Sequence, residues 1–256
     1  VAKSAIAAMK NGDVLLLENL QQDPREVAGD ESFGKELAEL ADVYVNDAFP
    51  SAHRESTTMT VLPKLLPSYA GLLMQEEVDT LVQARTPGSP SFAILGGAKF
   101  ETKAPLISLL LEKYDNVFIT GALANDVFKA RGLPVGRSLI SEELPSADVL
   151  NHPHFVAPVD VTVERPDGQA SVKKPDAVLP EDKIVDIGPE TVALLAPMIE
   201  NAHFILWNGP TGLYEDGYVS YTHAIAELVA TRSDAQVPVV IGGGDTIAVL
   251  EHSGIS

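Results

Sequence analysis

Apolar residues recur along the chain in two alternating rhythms, and the elements they predict follow a repeating order. Ala5, Ile6 and Met9 fit one face of a short helix, and Val14-Leu15-Leu16-Leu17 reads as a buried strand ending at Glu18-Asn19. Residues 21–31 are polar, with a proline and a glycine, and read as a loop. Phe33, Leu37 and Leu40 return at helical spacing, and Val43-Tyr44-Val45 alternates into Asn46-Asp47 as a second strand. Leu72, Leu73, Val78, Leu81 and Val82 alternate with Glu76, Glu77 and Asp79 in a longer amphipathic helix. That helix runs into Thr86-Pro87-Gly88-Ser89-Pro90, a cluster that predicts a boundary. The division expected is residues 1–70, a helix and linker over 71–90, and residues 91–256.

Beyond the boundary, strand candidates at 92–95, 117–119, 155–157, 184–186, 204–207 and 237–241 are separated by helical patterns at 102–113, 123–130, 190–201 and 219–231. Strands alternating with helices predict βαβ units and a parallel sheet covered on both faces, a two-lobed, Rossmann-like α/β fold. Arg165-Pro166-Asp167-Gly168-Gln169, between two Val-rich runs, predicts an inserted hairpin.

Composition narrows the partners. Eighteen basic against thirty-six acidic residues give a formal charge of -18, which repels nucleic acid and anionic membrane. Zero cysteines exclude disulfides and thiolate metal sites. No run approaches the ~18 apolar residues of a membrane span, so a soluble cytoplasmic protein is expected. The chain starts at Val1 rather than Met and ends at Gly254-Ile255-Ser256 with no stop signal for its last element, so a fragment is expected.

Three small-residue loops end strands of the second half: Ile94-Leu95-Gly96-Gly97-Ala98-Lys99, Trp207-Asn208-Gly209-Pro210-Thr211-Gly212, and Ile241-Gly242-Gly243-Gly244-Asp245-Thr246. In an open parallel sheet, ligands bind beyond the carboxyl ends of the strands, so three such loops can converge on one ligand. The triple glycine offers bare N–H groups at a helix N-terminus, suited to phosphate, while Asp245 and Thr246 add groups able to hold Mg²⁺ and a phosphate oxygen. Taken alone, the glycines fit a plain strand-to-helix turn as well.

Lys99 and Lys103, four residues apart, share a helix face if a helix opens there, and form either an anion site or a solvated pair. Asn208 and Glu215 read as ligands of a sugar or phosphate, or as a cap and a solvent-facing acid. Arg54, just past a strand end, can grip an anion, and the histidines show no metal-ligand spacing. Neither the Gly-x-Gly-x-x-Gly dinucleotide fingerprint nor the familiar phosphate loop is present.

Together these stretches, with Leu17-Glu18-Asn19-Leu20, Asp42–Phe49, Ala52-His53-Arg54, Pro158-Val159-Asp160 and Asp186-Ile187-Gly188-Pro189, make the chain resemble the phosphoglycerate kinase family over nearly its whole length. The resemblance implies a two-lobed, hinge-closing monomeric α/β kinase of glycolysis. Its N-terminal lobe would hold 3-phosphoglycerate or 1,3-bisphosphoglycerate, and its C-terminal lobe ATP or ADP with Mg²⁺. It further implies catalytic roles for Lys99, Gly243 and Gly244, and Mg²⁺ held by Asp245. Nucleotide contacts would come from Gly97, Lys103, Gly121, Leu139, Val185, Asn208, Leu213, Glu215, Gly242 and Thr246, and a substrate contact from Arg54. Gln21 and Gln22 stand where the family's Glu-Asn-x-Arg-Phe has Arg and Phe, and Thr120-Gly121-Ala122-Leu123 departs from its glycine-rich adenine loop. Further substrate-binding residues of the family would precede Val1, and its final glycine-rich loop would follow Ser256. With that guanidinium replaced, weak turnover by this chain is expected. The competing readings are an inactive nucleotide-binding remnant, an NAD-dependent dehydrogenase and a structural partner protein.

Overall fold

The computed structural model describes residues 2–253. The chain forms two compact units, one running to Val82 and the other starting at Gln83.

In the first unit the helices α1 (Ala2–Ala7), α2 (Pro24–Val27), α3 (Glu31–Ala38) and α4 (Leu62–Leu65) accompany two strands, β1 (Tyr44–Asn46) and β2 (Ser68–Ala70), paired in parallel. α5 (Leu72–Arg85) follows. Asp30 starts α3 by accepting from the Phe33 N–H at 2.8 Å, and Phe33 is enclosed beneath it. Two expectations need correction here. Val14–Leu17 is not a strand: it has no ladder partner among the described residues, and Val14 and Leu16 are each 93% exposed. An apolar run becomes a strand only where a neighbour completes its ladder, and the strands of this unit, β1 and β2, pair with each other. The stretch 21–31 is not all loop, since Asp23 caps the helical turn of α2. In α5 the apolar stripe stays open, with Leu72 90% exposed.

In the second unit the elements are β3 (Ser91–Leu95), α6 (Phe100–Lys113), β4 (Asn116–Ile119), α7 (Ala122–Ala130), α8 (Ala147–Leu150), β5 (Phe155–Val156), β6 (Val161–Glu164), β7 (Ala170–Lys173), β8 (Lys183–Ile187), α9 (Pro189–Asn201), β9 (Phe204–Asn208), α10 (Ser220–Asp234), β10 (Val239–Gly242) and α11 (Gly244–Ser253). Five strands form one wholly parallel sheet in the order β10-β9-β3-β4-β5. Successive side chains on a strand point to opposite faces. Ala93, Leu95, Val117 and Ile119 therefore pack with Ile107, Leu110 and Leu111 of α6. Phe92, Ile94, Phe118, Ile205 and Trp207 point the other way, onto Leu195 and Ile199 of α9 and Ile225 and Val229 of α10. Burial on both faces explains why these strands are continuous apolar runs.

A further correction concerns 184–186, which is a strand but not part of the parallel sheet. It lies in β8, antiparallel to β6, in a separate sheet ordered β7-β6-β8. The predicted hairpin is present: β6 and β7 pair antiparallel across the 165–169 turn. Ala124 and Phe128 of α7 pack on Val161, Val163 and Ile184 of this sheet.

Candidate functional site

The loops beyond the carboxyl ends of β3, β9 and β10 meet. Gly96 N–H donates to the Asn208 carbonyl at 2.7 Å, and the Gly96 and Gly209 backbones touch so closely that a Cβ on Gly96 would stand 2.5 Å from the Pro210 carbonyl oxygen. Only glycine allows that approach. Gly209 N–H donates to Thr246 Oγ1 at 2.7 Å, and the same hydroxyl donates to the Gly242 carbonyl at 3.1 Å. Thr246 is fully buried and ties the β9 loop to the β10 turn.

Asn208 is the common neighbour. Lys103 Nζ donates to its Oδ1 at 3.1 Å. Its Nδ2 lies 3.0 Å from where a Cβ on Gly243 would stand, and Gly243 holds φ +94°, in the left-handed region. One ammonium, one carboxamide and the triple-glycine turn are thus contiguous. Lys99 is exposed and extended at the N-cap of α6, so the helix begins one residue after it. The shared helix face expected for the two lysines does not form, because Lys99 precedes the first turn.

Beside this junction opens a cavity of about 370 Å³ lined by Gly97, Gly121, Leu139, Val185, Leu213, Glu215 and Asp245. Gly121 caps α7 at φ +63° with Gly97 against it, and Leu139 is 59% exposed. Asp245, exposed in the first turn of α11, accepts from Tyr214 O–H at 3.0 Å. That bond, with burial second, pushes the Tyr214 phenol up to about 12. Arg54 lies in the first unit and is exposed. Among the described residues no cluster of three or more His, Cys, Asp or Glu side chains could hold a metal.

Two residues of the cavity wall, Asp186 and Asn125, and Asp126 next in sequence to Asn125, were given no role by the sequence reading. Asp186, at the end of β8, accepts from Thr211 O–H and from the Ile187 N–H, each at 2.8 Å. Burial dominates these bonds and pushes its carboxyl up to about 7. The Thr211 N–H in turn donates to Thr222 Oγ1 at 3.0 Å. Asn125 and Asp126 lie on the buried side of α7; burial raises the Asp126 carboxyl despite two bonds from Ser141 at 2.8 Å. Ser141 Oγ in turn accepts the Phe100 N–H, the first amide of α6, at 2.8 Å. The available signal was two polar residues placed where the 3.6-residue period demands core.

Fold and site together define a doubly wound α/β protein with a cavity beyond the carboxyl ends of its parallel strands. The phosphoglycerate kinase family model matches residues 1–256. The chain belongs to the phosphoglycerate kinase family. It is 40% identical to phosphoglycerate kinase of Methylorubrum extorquens (strain PA1) over 267 residues, covering 99% of this chain and 67% of the relative. It is 39% identical to that of Pelotomaculum thermopropionicum, covering 100% of this chain and 67% of the relative. Among solved structures, phosphoglycerate kinase from Coxiella burnetii superposes with a TM-score of 0.83 at 33% identity, covering 97% of this chain and 66% of the other. The Pyrococcus horikoshii enzyme gives 0.83 at 27% identity, covering 100% and 68%. The chain thus spans about two thirds of the length of these relatives. Membership in this family sets aside the dehydrogenase reading.

Proposed function

We propose that the chain carries the nucleotide-binding part of a reversible phosphoryl transfer from the acyl phosphate of 1,3-bisphosphoglycerate to Mg-ADP, giving 3-phosphoglycerate and ATP. The observation that supports it most is the meeting at Asn208 of the Lys103 ammonium and the glycine turn, beside a cavity large enough for a nucleoside. In this reading residues 91–256 hold nucleotide and residues 1–70 contribute to the 3-phosphoglycerate site, joined by 71–90.

The base lies among Gly97, Gly121, Leu139, Val185 and Leu213. Asn208 and Glu215 take the ribose and phosphate, and the amides of Gly242, Gly243 and Gly244 cradle the phosphates at the start of α11. Thr246 contributes by fixing that turn, since its hydroxyl already bridges two loops. Lys103 pairs with the nucleotide phosphates. Lys99, free in solvent at the mouth of α6, neutralises the migrating group.

An exposed single carboxylate suits Mg²⁺, which takes one or two protein carboxylates and fills its other positions with phosphate oxygens and water. Asp245 would hold it there, and when bound it supplies charge neutralisation on the phosphates. Phosphoryl transfer asks for positioned charge rather than covalent chemistry, which this set of side chains and amides provides. Arg54 would grip the acid substrate. Gln21, an amide in place of a guanidinium, weakens that side, so this chain turns over little. The proposal extends to a monomer in the cytoplasm; among the described residues no helix is long and apolar enough to cross a membrane.

Thermal-shift titration tests it. Ligand at about 100 times its Kd adds about 2.7 kcal/mol of stability, so Mg-ADP is expected to raise the Tm of the chain, and Lys103→Ala and Asp245→Ala to cut that rise. Absence of any shift at millimolar Mg-ADP refutes nucleotide binding. A coupled assay showing turnover typical of the family refutes the weak-activity clause alone.

A further inference from the structure

α6 begins at Phe100, directly after Lys99, and the Lys99 side chain does not cap it. The first amide of the helix is satisfied from a distant loop instead: Phe100 N–H donates to Ser141 Oγ at 2.8 Å. A hydroxyl has one proton to donate and accepts through its lone pairs. Ser141 gives its proton to Asp126 Oδ2 at 2.8 Å, and its own N–H donates to Asp126 Oδ1 at 2.8 Å. Both ends of this relay are withdrawn from water, Asp126 being 0% and Phe100 5% exposed.

The peptide between Lys99 and Phe100 is held on its other side as well, because Thr102 Oγ1 donates to the Lys99 carbonyl at 2.9 Å. Two residues before Lys99, the Gly97 carbonyl accepts the Leu123 N–H of α7 at 3.1 Å. α7 therefore fixes the lysine loop at two points, once directly and once through Ser141. Lys99 itself is exposed, and no ion pair among the described residues includes it. With nothing gripping the ammonium, the backbone alone sets where the side chain starts and points, and that backbone is what Ser141 holds.

We propose that Ser141, backed by Asp126, is a positioning residue for Lys99: its hydroxyl fixes the Lys99–Phe100 peptide so that the ammonium is aimed at the migrating phosphoryl group. This rests on the role given to Lys99 above. A long side chain loses conformational freedom on making a contact, and a backbone fixed beforehand removes part of that loss. A cap that only steadied α6 would have no effect specific to the phosphoryl group.

Mg-ATP carries the migrating group and Mg-ADP does not, so the ratio of their affinities isolates the contact made by Lys99. Titration calorimetry on the 256-residue chain measures it. Any disturbance of the base wall through Leu139, two residues before Ser141, would weaken both nucleotides alike and cancel in the ratio. Lys99→Ala is expected to lower Mg-ATP affinity about tenfold relative to Mg-ADP, the scale of a hydrogen bond between charged groups. Ser141→Ala is expected to lower the same ratio about three- to fivefold, and Ser141→Thr, which keeps the hydroxyl, to hold it within about twofold. The decisive variant combines Lys99→Ala with Ser141→Ala: its ratio is expected to match that of Lys99→Ala to within about twofold, since no ammonium is left to aim. A further fall in the combined variant overturns the inference, as does an unchanged ratio in Ser141→Ala or an equal loss in Ser141→Thr. If Ser141→Ala does not fold, Ser141→Cys, which fills the space with a weaker acceptor, replaces it under the same criteria. A ratio unmoved by Lys99→Ala defeats the role of Lys99 and the inference with it, whereas binding of neither nucleotide defeats the nucleotide reading as well.

Discussion

Val14-Leu15-Leu16-Leu17 and Phe92-Ala93-Ile94-Leu95 are both wholly apolar runs of four, yet the first is coil with Val14 and Leu16 each 93% exposed and the second is a central strand with every residue buried. Their neighbours account for the difference. β3 has a parallel partner on each side and helices on both faces, whereas 14–17 has no strand beside it among the described residues. The contrast extends to the units. Of the first unit's described large apolar side chains, Phe33 and Leu62 are buried, while the second builds three separate apolar clusters. The unit with the core also holds the loops that converge on Asn208, and the unit with the open apolar residues holds Arg54 and Gln21. Precise placement of charge is found where packing is dense, as pre-organisation requires.

The largest effect that would break this comparison is in core stability. Ile205, fully buried in β9, is expected on change to Ala to cost about 2–5 kcal/mol of unfolding free energy, because both transfer and cavity terms apply. Leu16→Ala is expected to stay within about 0.5 kcal/mol, since that side chain already lies in water. Denaturant unfolding followed by circular dichroism and by Trp207, the single tryptophan, measures both. Similar losses from the two changes would show that the 14–17 run is packed after all. Hydrogen exchange sharpens the point: amides of β3 are expected to be protected well beyond those of β1.

The same contrast explains how much was legible in the sequence. In the second unit the helices and strands other than α8 were readable to within two or three residues, because runs such as 92–95 and 204–207 are apolar throughout and end at glycine or asparagine. Periodicity names an element but not its partner. Hence 184–186 was recognisable as a strand, yet its place in the antiparallel sheet depends on β6, twenty-odd residues away. The three glycine loops were readable because the same small-residue composition recurs at three strand ends, although any one of them alone fits a plain strand-to-helix turn as well. Asn125, Asp126 and Asp186 were not, since their burial and bonds come from Leu139, Ser141 and Thr211, residues that only the fold brings near.

A smaller effect tests how firmly the second unit's loops are tied. Thr246→Val keeps the shape and removes the hydroxyl that joins Gly209 N–H to the Gly242 carbonyl. Leaving both groups without that partner is expected to cost about 1–3 kcal/mol and to shrink the Mg-ADP thermal shift, while Leu16→Ala leaves the shift unchanged. If the stability falls but the shift does not, the bridge supports the fold without shaping the site.

The smallest expected effect is one of pH, and it too separates the units, because it requires a carboxyl enclosed by a core. In the folded chain Asp186 keeps its proton up to about pH 7, whereas its ordinary value is 3.8. Between those values the folded state binds more protons than the unfolded chain, so raising the pH weakens folding. The stabilising increment is complete below the unfolded value and is lost as pH rises through about 7. Between about pH 5.5 and 7.5 that amounts to on the order of 1–2 kcal/mol. Asp186→Asn retains an oxygen to accept from Thr211 and Ile187 but has no proton to lose. The variant's stability minus that of the unaltered chain is therefore expected to rise across this window, a difference in which the many exposed carboxylates cancel. A difference that stays flat with pH would mean that Asp186 titrates like a surface acid. The floor of the cavity would then be open to water, as Val14 and Leu16 of the first unit are.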